Sequence, residues 1–315
     1  MTAILGGLGA AILWAAATLA SSRSSRMIGS RVVLAWVMIV GTIVGLPIAL
    51  VSGIPTTVPP EAPGLLLLAG LCYSGGLYSA YRALTIGKVS IVAPIVATEG
   101  GIAAVIAVAL GDTLGAMAAL LLTAIAIGVV LSAIEPARPD VPVQDIEIAA
   151  DALDGPAPLT SEPAAATPAA GDPTSPSRTL EAVAWSLVAA VVFGVGLVAV
   201  GKAAVLLPPI WVAVSSRLVG LVIVALPLVL QRRLVLTRAT VPLLLIAGVG
   251  EILGSTASAW GATDSIPIVA VLGSQFAAIA AVVAFLLFGE RLSRTQVLGV
   301  ILIVAGVSAL AATSL

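Results

Sequence analysis

Ten apolar runs, each long enough to cross a bilayer, constrain this chain before any motif does. A bilayer core is about 30 Å thick, so a spanning helix needs roughly 20 apolar residues. The runs lie near 3–21, 32–52, 63–81, 89–110, 114–134, 183–201, 209–230, 240–259, 266–288 and 296–313. They lack period-two alternation, which predicts helices and not barrel strands. The first run has no basic n-region and nine more follow it, so it reads as a retained helix and not a signal peptide. Composition agrees: the chain is 60% hydrophobic and 9% charged, where soluble domains sit near ~45–50% and ~25%. The expected fold class is an all-α integral membrane protein with ten transmembrane helices, multi-pass in the cell membrane.

The basic residues sit in different loops on the two sides of an acidic linker. Loops after the first and third runs hold Arg23, Arg26, Arg31, Arg82 and Lys88, and loops after the seventh and ninth hold Arg232, Arg233, Arg238, Arg291 and Arg294. Five runs per side is an odd number, so the second set enters the membrane opposite to the first. Nearly all Lys and Arg then fall on one face, and the other face holds only Lys202. The positive-inside rule makes the basic face cytoplasmic, with the linker inside and both termini outside. The expected domains are 1–134, a linker over 135–180, and 181–315. The linker is rich in Ala, Pro, Asp and Glu and has no aromatic residue. Such a stretch cannot bury enough apolar surface to offset its ordering entropy, so it reads as disordered.

A repeat is visible beneath the hydropathy. Leu67-Leu68-Ala69-Gly70 matches Leu245-Ile246-Ala247-Gly248, Gly76 matches Gly254, Gly111-Asp112 matches Gly289-Glu290, and Leu46-Pro47 matches Leu226-Pro227, all at a near-constant offset. Several of these motifs carry a family resemblance. Trp14-Ala15, Phe193-Gly194, Ile91-Val92-Ala93-Pro94, and Phe288-Gly289-Glu290-Arg291-Leu292 with Gln296, Gly299 and Gly306 resemble the EamA type of the drug/metabolite transporter superfamily. The resemblance implies a 5+5 inverted-topology repeat, a central cavity lined mainly by the first four helices of each half, and peripheral fifth and tenth helices. It also implies cytoplasmic termini, from which the charge pattern here departs. The plain local alternative is that Ser293-Arg294-Thr295-Gln296 is a capping box and that Pro47, Pro94 and Pro227 only kink helices.

Three ionisable residues belong to no loop: Glu99, Arg217 and Glu251. A charge at the bilayer centre costs roughly 2.5–3.5 kcal/mol, so these three must face one another, water or a cavity. Gly248, Glu251, Ser255 and Ser258 share one helix face, which is small and polar. The repeat-mate of Glu251 is Tyr73, and Gln275 lies near the depth of Glu99. Two polar pairs near the midplane follow, Tyr73 with Glu251 and Glu99 with Gln275, where inverted-repeat transporters bind substrate. Arg217 can brace one glutamate, but one cation cannot neutralise two acids. The unpaired acid, Glu99 or Glu251, is the candidate for proton coupling or for meeting a substrate amine. Trp14, mid-run among small residues, is either a packing ring or a cavity wall. Tyr81, Trp211 and Trp260 lie near run ends and read as an interfacial belt. Cys72 stands alone and reads as a small buried hydrophobe, with no disulfide possible.

Motifs for chemistry are missing. The chain has no His and one Cys, and no phosphate loop, nucleophile elbow or paired-Cys metal site. An enzyme and an ATP-driven pump are not expected, nor is a cofactor, a metal or a nucleic-acid partner. The expected function is a secondary transporter, read as an exporter, of a small organic metabolite such as an amino acid or amine, or of a drug. It would act by alternating access, with the bilayer and the small-molecule substrate as partners and protons as the coupling ion. Alternatives are a cation channel or divalent-cation carrier using Glu99 and Glu251, and a membrane enzyme acting on a lipid-linked substrate.

Overall fold

Small residues line the helix contacts and large aliphatic ones face outward, the reverse of a soluble core. The computed structural model describes residues 1–87, 92, 95–133, 176–276, 278–279 and 294–313. The helices are α1 Thr2–Ile28, α2 Ser30–Val51, α3 Ala62–Ile86, α4 Glu99–Ala109, α5 Ala116–Ala133, α6 Pro176–Leu206, α7 Pro209–Leu230, α8 Val241–Ala262, α9 Ile266–Gly273 and α10 Arg294–Thr313. No strand occurs among the described residues. Among the described residues, six helices (α1, α2, α3, α6, α7 and α8) are long and apolar enough to cross a membrane.

Helix α1 shows the packing rule. Leu5, Ile12 and Leu19 are seven residues apart on one face and exposed, while Gly6, Gly7, Ala10, Ala11 and Ala17 are buried. Lipid tails are as apolar as leucine, so helices in a bilayer associate by close packing of small residues. A Cβ at Gly6 would lie 2.7 Å from the Gly261 Cα, so here backbone meets backbone.

Helix boundaries follow local chemistry. Gly29, at φ +86, makes the left-handed corner between α1 and α2. Pro63, Pro209, Pro242 and Pro267 sit in first turns, where no amide hydrogen is needed. Helix α7 widens into a π-turn over Leu221–Ala225, just before Pro227, which cannot donate the next ladder bond. Helix α6 begins at Pro176, so the last residues of the segment read as linker are helical. The rest of that linker, Lys88, Pro94 and the Phe288–Leu292 signature lie outside the described residues, as does the side chain of Gln296.

The first five helices pack reciprocally on the last five. Helix α1 packs on α8 and α3 on α6, α2 on α7, α4 on α9, and α5 on α10. The first three pairs run antiparallel. Gly6 meets Gly261 at one end of α1 while Ala20 clusters with Leu244 at the other. Arg82, late in α3, bonds Glu181, early in α6, at 3.3 Å. Trp211, at the start of α7, donates to the Gly53 carbonyl beyond the end of α2 at 2.8 Å. These contacts gather Arg31, Arg82 and the α7–α8 loop with its three arginines at one end, through Arg31 to Tyr78 and Trp36 to Val235. The other end holds the Lys202–Asp112 salt bridge and the Asp264 carboxylate bound to Thr2.

Candidate functional site

A largely apolar chamber of about 890 Å³, measured out to its open mouth, lies between α1, α3, α6 and α8. Its walls come from the first and third helix of each set and from residues around the two fourth helices, Glu99 and Phe276 among them. No side chain of α2 or α7 lines it, which corrects the expectation that four helices of each half would do so. Helices α2 and α7 pack instead against α8 and α3. No described side chain of α5 or α10 lines the chamber, and the two helices pack mainly on each other.

Both fourth helices are interrupted beside the chamber. Turns fall at Ala97–Thr98, just before α4, and at Ser274–Gln275, just after α9. In each, a hydroxyl returns to the carbonyl three residues back, Thr98 to Ile95 at 2.7 Å and Ser274 to Val271 at 2.9 Å. Such bonds compete with the helix ladder and favour a break. Gly100 lets the two breaks touch, because a Cβ there would lie 2.6 Å from the Ser274 Oγ.

Glu99 stands in the first turn of α4 and lines the chamber. It is 5% exposed, and its carboxylate has no hydrogen bond or ion pair among the described residues. Glu251 also lines the chamber but is engaged: the Tyr73 hydroxyl donates to it, and the Arg217 Nη2 is 3.9 Å away. Arg217 is fully buried behind the wall. Its Nη2 lies 2.7 Å from the Tyr73 hydroxyl, 2.6 Å from the Glu251 carbonyl and 2.8 Å from the Ser255 Oγ. Its guanidinium lies 4.0 Å from the Tyr73 ring centroid, in cation–π contact. Its Nε and Nη1 have no partner among the described residues. The expected Tyr73–Glu251 pair is therefore present, with Arg217 as its brace. Of the two acids, Glu251 is the one with a hydrogen bond and an ion pair among the described residues.

Trp14 is both a packing ring and a cavity wall. It lines the chamber and lies against Gly254, whose Cβ would come 2.7 Å from the indole Nε1. Phe193 does the same from the other set, against Gly76 at 2.6 Å and edge-on to Tyr73 with centroids 6.3 Å apart. Gln275 is buried but does not line the chamber, and its Nε2 has no partner among the described residues. No hydrogen bond joins Glu99 and Gln275 among the described residues. Tyr81 corrects the interfacial reading: it is 3% exposed, lines the chamber and shares a 2.9 Å hydrogen bond with Ser21. Cys72 is half-buried and not in the core. Phe276 is a lining residue that no sequence signal marked.

Comparison with known proteins bears on both fold and family. Residues 1–134 match the model of the EamA-like transporter family. No curated protein matches the chain. A solved crystal structure, described only as that of a protein, is similar with a TM-score of 0.68 at 18% identity, over 97% of this chain and 95% of its own. At that identity the likeness concerns the fold alone.

Proposed function

We propose that this chain, which over residues 1–134 belongs to the EamA-like transporter family and so to the drug/metabolite transporter superfamily, is a secondary carrier of a small organic solute. It works by alternating access around the chamber, with Glu99 as the acid that couples flux to protons or meets the substrate. The observation that carries this reading is the division of labour between two acids in one chamber: Glu251 is tied to Tyr73 and Arg217, and Glu99 is untied. An acid that no protein group pairs is the one free to change partners, proton included, as the chamber opens and closes. The reciprocal pairing of helices and the antiparallel directions of three pairs support ten spans in a five-plus-five inverted repeat over 1–134 and 181–315, joined by 135–180.

A divalent-cation carrier fits less well. Calcium takes about 6–8 oxygen ligands, and one of the two carboxylates is already engaged. The test is counterflow in proteoliposomes loaded with a metabolite and drug mixture. Saturable, pH-gradient-driven exchange of an organic solute is expected, and Glu99→Gln is expected to lose the gradient drive. Metal-selective current without counterflow of any solute would overturn the carrier reading.

A further inference from the structure

We infer that the chamber selects organic monocations with an apolar, aromatic body and no carboxylate. This rests on the carrier reading above and narrows its substrate class. A cationic amine entering the chamber finds one carboxylate facing it without a partner, Glu99. A carboxylate entering the same space finds no cation. The chain has no His, and no Lys or Arg lines the chamber among the described residues. Arg217, the buried cation beside the chamber, lies behind Tyr73 and is held there by Tyr73, Ser255 and the Glu251 carbonyl. Its charge is matched to Glu251, so reaching a substrate carboxylate would unpair that glutamate.

The rest of the wall favours the same class. Trp14, Tyr81, Phe193 and Phe276 line it, and Leu77 and Leu84 fill between them. Aromatic faces attract cations most where water is excluded. Among the described lining side chains, a carboxylate could turn only to neutral donors, including the hydroxyls of Thr18, Ser255, Ser258 and Tyr81 and the indole N–H of Trp14, and Ser255 and Tyr81 already bond Arg217 and Ser21. An amino acid therefore brings one charge that the chamber matches and one that it does not. A neutral solute leaves Glu99 unmatched.

Binding to the full chain in lipid nanodiscs tests this with radiolabelled tryptamine, competed by tryptophan, which adds a carboxylate, and by indole-3-ethanol, which removes the charge. Tryptamine is expected to bind saturably, with both competitors at least about tenfold weaker, as for a charge-assisted contact against a neutral one. Glu99→Gln is expected to erase the advantage of tryptamine over indole-3-ethanol, and Glu99→Asp to keep part of it. Should Glu99→Gln not fold, the wild-type competition series decides alone. Tryptophan binding as tightly as tryptamine, or no binding of tryptamine, overturns the inference. Either result leaves the carrier reading to the counterflow experiment, whose metabolite and drug mixture does not depend on the class of solute.

Discussion

Arg217 and Met38 make matching contacts with glycines of the facing helix. Gly41 lies against the Arg217 side chain, and Gly220 lies against Met38. The same exchange puts Tyr73 opposite Glu251. The polar cluster is thus confined to one side of an otherwise reciprocal set of helix contacts. Removing one partner of a buried pair leaves an uncompensated charge, at a cost of about 3–5 kcal/mol. Arg217→Met is expected to destabilise the chain on that scale, and Arg217→Met with Glu251→Gln to recover most of the loss. Unfolding of the two variants in detergent checks this. Part of the cluster was legible in the sequence, because the repeat offset alone aligned Tyr73 with Glu251 and the 3.6-residue period aligned Ser255. Tyr81 was not legible as a lining residue. Its place near a run end suits an interfacial ring equally, and only the packing of α3 turns it inward.

At the scale of the helix, glycines set where the rings stand. A Cβ at Gly254 would meet the Trp14 indole at 2.7 Å, and one at Gly76 would meet the Phe193 ring at 2.6 Å. Either Ala substitution forces a ring to shift, and overpacking of this kind costs about 1–3 kcal/mol. Gly254→Ala and Gly76→Ala are each expected to cut transport about tenfold or more by pushing a ring into the chamber, measured as initial counterflow rate. Gly64→Ala, with nothing within 4 Å, is expected to leave the rate unchanged. The Asp264 carboxylate accepts from the Thr2 hydroxyl at 2.8 Å and the Ala3 amide at 3.3 Å, at the start of α1. The Thr2 bond first, then the amide, holds its pKa below the ordinary aspartate range. A carboxyl held low in the fold contributes stability above its unfolded pKa, near ~3.9, and loses it as pH falls through the folded value. Asp264→Asn is therefore expected to cost well under about 1 kcal/mol at neutral pH, since the site is half exposed, with the cost vanishing once pH falls below the folded value. Thermal unfolding across pH reads both. The long helices were legible from apolar runs of the right length. The two breaks were not, because the apolar runs pass straight through Ala97–Thr98 and Ser274–Gln275.

For the whole molecule, two polar ties sit at opposite ends of α6. Arg82–Glu181 joins it to α3, and Lys202–Asp112 joins it to the turn between α4 and α5. If the two sets of helices rock against each other, each tie lies across the moving boundary. Cysteine pairs at Arg82 with Glu181 and at Lys202 with Asp112, in a Cys72→Ala background, are each expected to stop counterflow when oxidised and to restore it when reduced. Full transport with both pairs cross-linked would exclude rocking. The reciprocal pairing also has a consequence for how the chain is made. The glycine face of α1 has its partner in α8, which begins at Val241, more than two hundred residues after α1 ends at Ile28. At a synthesis rate of about 5–20 residues per second, that face waits roughly ten to forty seconds in the bilayer. During that interval the nascent chain is a set of sticky, unmatched small-residue surfaces. A ribosome stalled after the first five helices would leave an orphan suited to pairing with a second copy of itself, or to capture by quality-control factors.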